Sequence, residues 1–321
     1  MTRFKRLLAA TALMAAAQLS LAAGYPARPI KMVVPYGAGG TIDVIARILG
    51  PKLNALLGQP VVVENRPGGG TTIGASQVAR AAPDGYTVFL GSNAAFTLSP
   101  QIMKVPYDPV TSLTAVGMVS SFPNLILVKP DAAFKSLDDV VRAARAEPDK
   151  LSYASFGIGS TAQLSGEAIK VAADLRITEV PYKSGVECVQ AILSGEVAFG
   201  FDTAIGAVQR VKQGQVRALA VTSAQRHPDL PEVPSVVEAG FPDAEVTAWI
   251  ALFVPSGTPA EVQAKLSAAL QQTLADERTQ QQFAGLGIKA ARLDGLATMA
   301  LLRDEYVRFG KLVEKAKIQA R

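Results

Sequence analysis

The residues best placed to do chemistry form a glycine-rich turn, Tyr36-Gly37-Ala38-Gly39-Gly40-Thr41-Ile42-Asp43, directly after the apolar run Met32 to Pro35. Beyond it Ile42, Ile45, Ala46 and Leu49 recur at the spacing of a buried helix face, so the turn feeds a helix start. Glycine lets the backbone approach a ligand closely, and the free N–H groups and dipole of a helix head favour negative charge. The expected chemistry is anion docking, with a small carboxylate or a phosphate held by N–H groups near Gly39 and Gly40. Spacing separates the anions. A dinucleotide loop wants a third glycine where Ile42 stands, and no Lys-Ser or Lys-Thr pair follows the glycines as a Walker-type loop requires. Glu64, after Val61 to Val63, mimics an acidic ribose partner and keeps a nucleotide-dependent oxidoreductase open as an alternative. A carboxylate fits better.

About 120 residues on, a second turn of similar make runs Ser155, Gly157, Gly159, Ser160, Thr161 before Leu164, Ala168 and Val171 at helical spacing. Two strand-glycine-helix turns suit a ligand gripped from both sides. Asp43 falls in the first helical turn behind Gly39 and Gly40. It either caps an exposed N–H or faces the ligand, and Ser92 and Asn93, after the run Tyr86 to Leu90, carry the same ambiguity.

The inventory argues against catalysis. The single histidine, His227, lies in RHPDLPEVP and reads as a solvated loop residue without an orienting partner. Cys188 has no second histidine or cysteine to build an activated nucleophile or a metal site, and reads as a buried small apolar residue. Asp138 with Asp139, Glu261, and Asp304 with Glu305 lack calcium-loop spacing and read as solvated helix faces. No metal, no cofactor and no enzymatic activity are expected.

These residues need elements to hold them. Short Val/Ile/Leu runs (Ile30 to Val34, Val61 to Val63, Tyr86 to Leu90, Leu125 to Val128, Thr178 to Val180, Val197 to Phe201, Arg217 to Val221) alternate with amphipathic stretches, the pattern of parallel α/β layers. Ligands then bind at the C-terminal ends of the strands. Pro259 opens one late packing helix and Leu296 to Val313 forms another, while His227 to Pro234 reads as a stiff connection. The first 23 residues, with Arg3, Lys5 and Arg6 before an apolar run to Leu21, read as a cleaved export signal. Subtracting it leaves 321 less 23, or 298 residues, enough for two lobes, and takes the 32 basic residues to 29 against 27 acidic, a net of +2. With no basic run, a nucleic-acid partner is not expected.

On these motifs the chain resembles the Bug family of periplasmic solute receptors of tripartite tricarboxylate transporters. The matching stretches are YPARPIKMVVPYGAGGTIDVIARIL (Tyr25 to Leu49), LGQPVVVENRPGGG (Leu57 to Gly70), PDGYTVFLGS (Pro83 to Ser92), SYASFGIGS (Ser152 to Ser160), EVPYK (Glu179 to Lys183) and LPEVPSVVEAGFP (Leu230 to Pro242). The resemblance implies a type II-like periplasmic binding protein. It would have two α/β lobes, each a sheet flanked by helices, joined by two crossing strands and closing on a small carboxylate, partly through ordered water. Residues 24–122 with 249–321 would form one lobe and 123–248 the other. By the same resemblance Tyr36, Gly37, Ala38, Gly39, Gly40, Thr41, Asp43, Ser92, Asn93, Ser155, Gly157, Gly159, Ser160, Thr161, Gln163, Tyr182 and Asp202 would line the cleft. The protein would work as a periplasmic monomer that delivers ligand to membrane permease subunits, and a ligand-presenting sensor is the alternative. Three positions depart from the family pattern: Thr71 stands where a further glycine is usual, Gln163 where histidine is frequent, and Ser184-Gly185-Val186-Glu187 follows Lys183.

Overall fold

Runs of β-branched residues bounded by glycine, proline and asparagine become strands, and the apolar stripes between them become helices that cover the sheet. The computed structural model describes residues 24–157, 159–291 and 293–318; the expected export signal lies outside them. The strands are β1 (Ile30–Val34), β2 (Val61–Asn65), β3 (Thr87–Ser92), β4 (Leu113–Val128), β5 (Ser152–Ser155), β6 (Thr178–Pro181), β7 (Phe199–Thr203), β8 (Arg217–Val221) and β9 (Thr247–Pro255). The helices are α1 (Thr41–Leu57), α2 (Thr72–Ala79), α3 (Ser99–Ile102), α4 (Leu137–Ala146), α5 (Thr161–Ala173), α6 (Gly185–Ser194), α7 (Ala204–Lys212), α8 (Ala260–Ala275), α9 (Glu277–Gly285) and α10 (Gly295–Ala316).

The strands hydrogen-bond in the order β2-β1-β3-β9-β4-β7-β5-β6, with β8 also on β4. The trio β2-β1-β3 is parallel, and so is β6-β5-β7, as the sequence pattern predicts. The expectation of parallel layers fails at β4 and β9, which are antiparallel to each other and to their neighbours. These are the two crossing strands. β4 pairs with β9 up to Pro123 and from Asn124 onward with β7, so one 16-residue strand serves both sheets. Proline has no N–H to give a ladder, which suits it to the point where a strand changes partner.

This register fixes where ligands can go. Ser92 at the end of β3 pairs near the start of β9, with Ile250, and Thr203 at the end of β7 pairs with Asn124. The C-terminal ends of both parallel trios therefore point at the crossing, and the turns that follow them face each other. Behind the turns each half has its own core. In the first, Phe89, Phe96, Trp249 and Phe253 pack with ring centroids 4.5–6.4 Å apart; in the second, Tyr153, Phe199 and Phe201 do so at 5.6–6.3 Å. Each such ring contributes roughly 2–3 kcal/mol by burial, enough to make both halves rigid supports. The C-terminal α10 lies across the two, because Leu98, Leu164, Val246, Phe309 and Val313 share one cluster.

Candidate functional site

The first glycine turn uses its own amides. Gly39, at φ +81°, points its N–H back along α1, where Asp43 Oδ2 accepts it at 2.9 Å, and the Gly40 N–H goes to Gly37 O at 3.2 Å. Gly39 and Gly40 are therefore not the carboxylate donors that sequence suggests. The donors left at the head of α1 are the first-turn amides of Thr41, Ile42 and Asp43, which have no acceptor among the described residues. Gly37, Ala38, Gly39 and Thr41 are exposed on that face.

Asp43 takes the capping role. Its side chain is 3% exposed, and it also accepts from Arg47 Nε and Asn65 Nδ2, both at 2.9 Å. Arg47 foremost, helped by the Gly39 amide and Asn65, holds the carboxyl down at about 2 despite burial. Asn65, at the end of β2, in addition ties Tyr36 O at 3.0 Å, so the neighbouring strand fixes the turn from behind. Tyr36 O–H and Ser92 Oγ lie 2.6 Å apart, joining two expected site residues.

The second turn repeats this construction 120 residues later. Gly159 N–H donates to Gln163 Oε1 at 2.9 Å as Gly39 does to Asp43, and Ser160 N–H to Gly157 O at 3.2 Å as Gly40 does to Gly37. Glu179 on β6 does the backing. Its Oε1 accepts from Ser155 Oγ at 2.5 Å, its Oε2 from Gln163 Nε2 at 2.9 Å, and Ser155 Oγ accepts from Gly157 N–H at 2.9 Å. Ser155 and Gln163 are thus internal braces, not hydroxyl and amide offered to a ligand, and Ser155 is fully buried. Ser160 Oγ caps α5 by accepting from Gln163 N–H. Thr161 Oγ1 accepts from Asn124 Nδ2 at 2.9 Å, which leaves its O–H proton and the Thr161 and Ala162 amides without an acceptor among the described residues. A Cβ placed on Gly159 would lie 3.2 Å from Ile102 Cδ1 and 4.0 Å from Ser99 Oγ, so the second turn already approaches α3 across the gap.

Further expectations change. Asn93 turns away from the gap: its Nδ2 donates to Thr247 O and to Glu305 Oε2, at 3.1 and 3.2 Å. Glu305 is not on a solvated face but buried, receiving Trp249 Nε1 at 3.0 Å, and burial pushes its carboxyl up to about 7. Tyr182 packs its ring beside the Cys188 cluster, with its hydroxyl sealed and without a hydrogen-bond partner among the described residues. His227 is half-buried, not solvated: its side chain is 13% exposed, burial lowers its pKa, and Nδ1 accepts from Asp229 N–H at 3.2 Å. Cys188 is fully buried as expected, and burial lifts its thiol to about 12. Glu64 is engaged by Lys31 Nζ at 2.8 Å and Arg66 Nε at 2.5 Å, Lys31 chiefly keeping it near 2, so it is not free to receive a ribose.

Asp202, at the end of β7, is buried with Oδ1 on Thr203 N–H at 2.8 Å, and burial raises it to about 6. Thr71 holds φ +79°, the left-handed region that favours glycine, which explains in conformation why a glycine would suit that position. Its Oγ1 is sealed and unpartnered. A separate groove of 440 Å³ between α8, α9 and β4, walled by Met118, Leu270, Leu274, Phe283, Ile288 and Leu293, contains no residue of either turn.

Two α/β lobes joined by antiparallel crossing strands, with a helix-heading glycine turn on each side of the gap, define a two-lobed solute-binding fold of the periplasmic type. The chain belongs to the TctC family, described as the tripartite tricarboxylate transporter family receptor, whose profile matches residues 45–318. Protein BugT of Bordetella pertussis is 33% identical over 296 residues, 91% of this chain and 90% of that one. MatC of Rhodopseudomonas palustris, solved with bound malate, is 31% identical over 90% of this chain and all of its own, with a TM-score of 0.76. Another R. palustris protein, solved with adipate, is 30% identical over 92% of this chain and 99% of its own, with a TM-score of 0.78.

Proposed function

We propose that the protein is an extracytoplasmic receptor that captures a small carboxylate-bearing organic ligand between its lobes and delivers it to the membrane subunits of a tripartite tricarboxylate-type transporter. Residues 24–122 with 249–321 act as one jaw and 123–248 as the other; residues 1–23 act as the export signal, and the chain works as a monomer in the periplasm. The observation that carries this reading is the pair of matching glycine turns facing one another at the crossing strands, each with its glycine amides braced internally and its helix-head amides open. The malate and adipate of the two similar structures support the ligand class.

The carboxylate sits on the Thr41 and Ile42 amides, where a helix head is worth roughly 0.3–1 kcal/mol per charge on an exposed surface and more when water is excluded. Thr161 and the head of α5 close from the other lobe. Closure is selected only by the ligand's differential affinity for the closed form. No bond is made or broken: the one thiol lies in the core with a raised pKa, and the one histidine is tied to a loop amide. A thermal-shift panel of malate, succinate, adipate and citrate tests the reading. A ligand at a hundred times its dissociation constant adds about 2.7 kcal/mol, or roughly 5 °C in a chain of this size. If no carboxylate in the panel raises the melting temperature, carboxylate capture is wrong.

A further inference from the structure

The two faces of the gap differ in charge. Near the first turn each carboxylate has a basic partner: Asp43 has Arg47, and Glu64 has Lys31 and Arg66. On the second face, Glu179 and Asp202 have no basic group within 4.0 Å among the described residues. Both Glu179 oxygens are occupied by Ser155 and Gln163. Asp202 is the exception, since its residue is 5% exposed yet its only donors come from Thr203, the amide to Oδ1 and the hydroxyl close by. Its Oδ2 has no hydrogen-bond partner among the described residues and is not among the unpartnered atoms sealed from solvent.

The surroundings are built to keep that carboxylate where it is. Asp202 pairs with Leu125, one step beyond the strand crossing, so it stands at the edge of the gap. Gly185 and Gly206, in the first turns of α6 and α7, press against it: a Cβ on Gly185 would collide with Oδ1, and one on Gly206 would come within 2.7 Å of Oδ2. Two helix heads thus already have their anion, supplied by the protein. A ligand carboxylate would meet repulsion there, whereas a cation would satisfy the open oxygen, and a buried carboxylate left unpaired is costly. Arg210, farther along α7, lowers the Asp202 pKa only through space, and burial remains the larger influence.

We propose that Asp202 Oδ2 anchors an ammonium group, so that the ligand of this chain is a zwitterion: its carboxylate lies on the head of α1 and its ammonium on Asp202. This rests on the carboxylate-capture reading and narrows it to amino-acid-like compounds. Calorimetry at pH 7.5 tests it with matched pairs, L-aspartate against succinate, L-glutamate against glutarate and 4-aminobutyrate against butyrate. At least one aminated member should bind tenfold or more tightly than its partner, about 1.4 kcal/mol. Asp202→Asn should abolish that preference by weakening the aminated member, since the amide keeps the shape but not the charge. The comparison within the unaltered protein needs no variant, so a folding defect in Asp202→Asn cannot mask the outcome. Equal or tighter binding of the deaminated acids, or a preference that survives Asp202→Asn, overturns the ammonium anchor. If malate or adipate binds and none of the aminated acids does, the anchor is wrong and carboxylate capture stands; if no carboxylate binds at all, both fall.

Discussion

Replacing Asp43 by alanine removes one acceptor from three donors: Gly39 N–H, Arg47 Nε and Asn65 Nδ2, each at 2.9 Å. Its pKa, held at about 2 from an ordinary 3.8, corresponds to about 2 kcal/mol of stability at neutral pH. Arg47 is 56% exposed, so solvent screens its share, and about 1–2 kcal/mol is the expected cost of Asp43→Ala. The sign follows from the lowered pKa. The contribution is present above the unfolded-state value near 3.8 and is lost as pH falls towards 2. Urea titrations of both proteins at pH 7, 4 and 3 measure it, and the difference between them should shrink at the lowest pH. A cost under about 0.5 kcal/mol at pH 7, or one that does not diminish in acid, would refute the view that Asp43 braces the turn. Because the freed Gly39 amide no longer fixes the turn, ligand affinity should fall as well, roughly three- to tenfold.

Glu305→Gln tests the carboxylate between Asn93 and Trp249. Its folded pKa, raised from 4.5 to about 7, gives stability that is full below pH 4.5 and lost as pH rises through 7, so the variant should gain on the parent by about 1–3 kcal/mol between pH 5 and 8 in urea titrations. The fluorescence of Trp249, the only tryptophan, should shift over the same interval in the parent alone. Thr71→Gly relieves a β-branched residue at φ +79° and deletes a sealed, unpartnered hydroxyl; a gain of about 1 kcal/mol is expected by thermal unfolding, and a loss would contradict the strain. Glu179→Ala unties Ser155 and Gln163 from β6 and should weaken ligand binding at least fivefold by calorimetry while α5 and β6 remain folded by circular dichroism.

The lobes were legible in sequence because they depend on short-range pattern. Ile30–Val34 and Arg217–Val221 are short, mostly apolar runs between breakers, each with one basic residue, and both are strands at the expected bounds. β4 was legible only at its end, Leu125 to Val128. Its first part, which pairs with β9, interleaves glycine, serine and proline, and its two register shifts against β9 disrupt strict alternation. The turns were visible as turns, but not who holds them. A side-chain oxygen four residues past a glycine is equally suited to cap that glycine or to meet a ligand, and the choice depends on Asn65 and Glu179, which arrive from neighbouring strands. Glu305 did leave a local signal. It falls three residues after Leu302 and four before Phe309, inside the buried stripe of α10, where a carboxylate must find donors.

Internal bracing changes what a glycine turn is for. Had Gly39 and Gly159 offered their amides to the ligand, the turns would need the ligand to be ordered, and binding would carry the entropy of fixing them. Because Asp43 and Gln163 satisfy those amides beforehand, the turns are rigid when empty, and the helix-head amides just beyond them stand preorganised. The two braces differ in one respect: Asp43 is charged and paired with Arg47, whereas Gln163 is neutral and leans on Glu179, which has no basic partner among the described residues. Exchanging them one at a time separates bracing from charge. Gln163→Glu keeps an acceptor for Gly159 but sets a second carboxylate against Glu179, so it should loosen the second turn and weaken binding of any anion there. Asp43→Asn keeps one oxygen for Gly39 and Arg47 but turns an amide nitrogen toward Asn65 Nδ2, so it loses the Asn65 bond and the ionic part of the Arg47 pairing without setting like charges together, and its binding defect should be the smaller of the two. Equal defects by calorimetry would mean that the brace's geometry alone, and not the charge behind each turn, governs how the lobes hold their ligand.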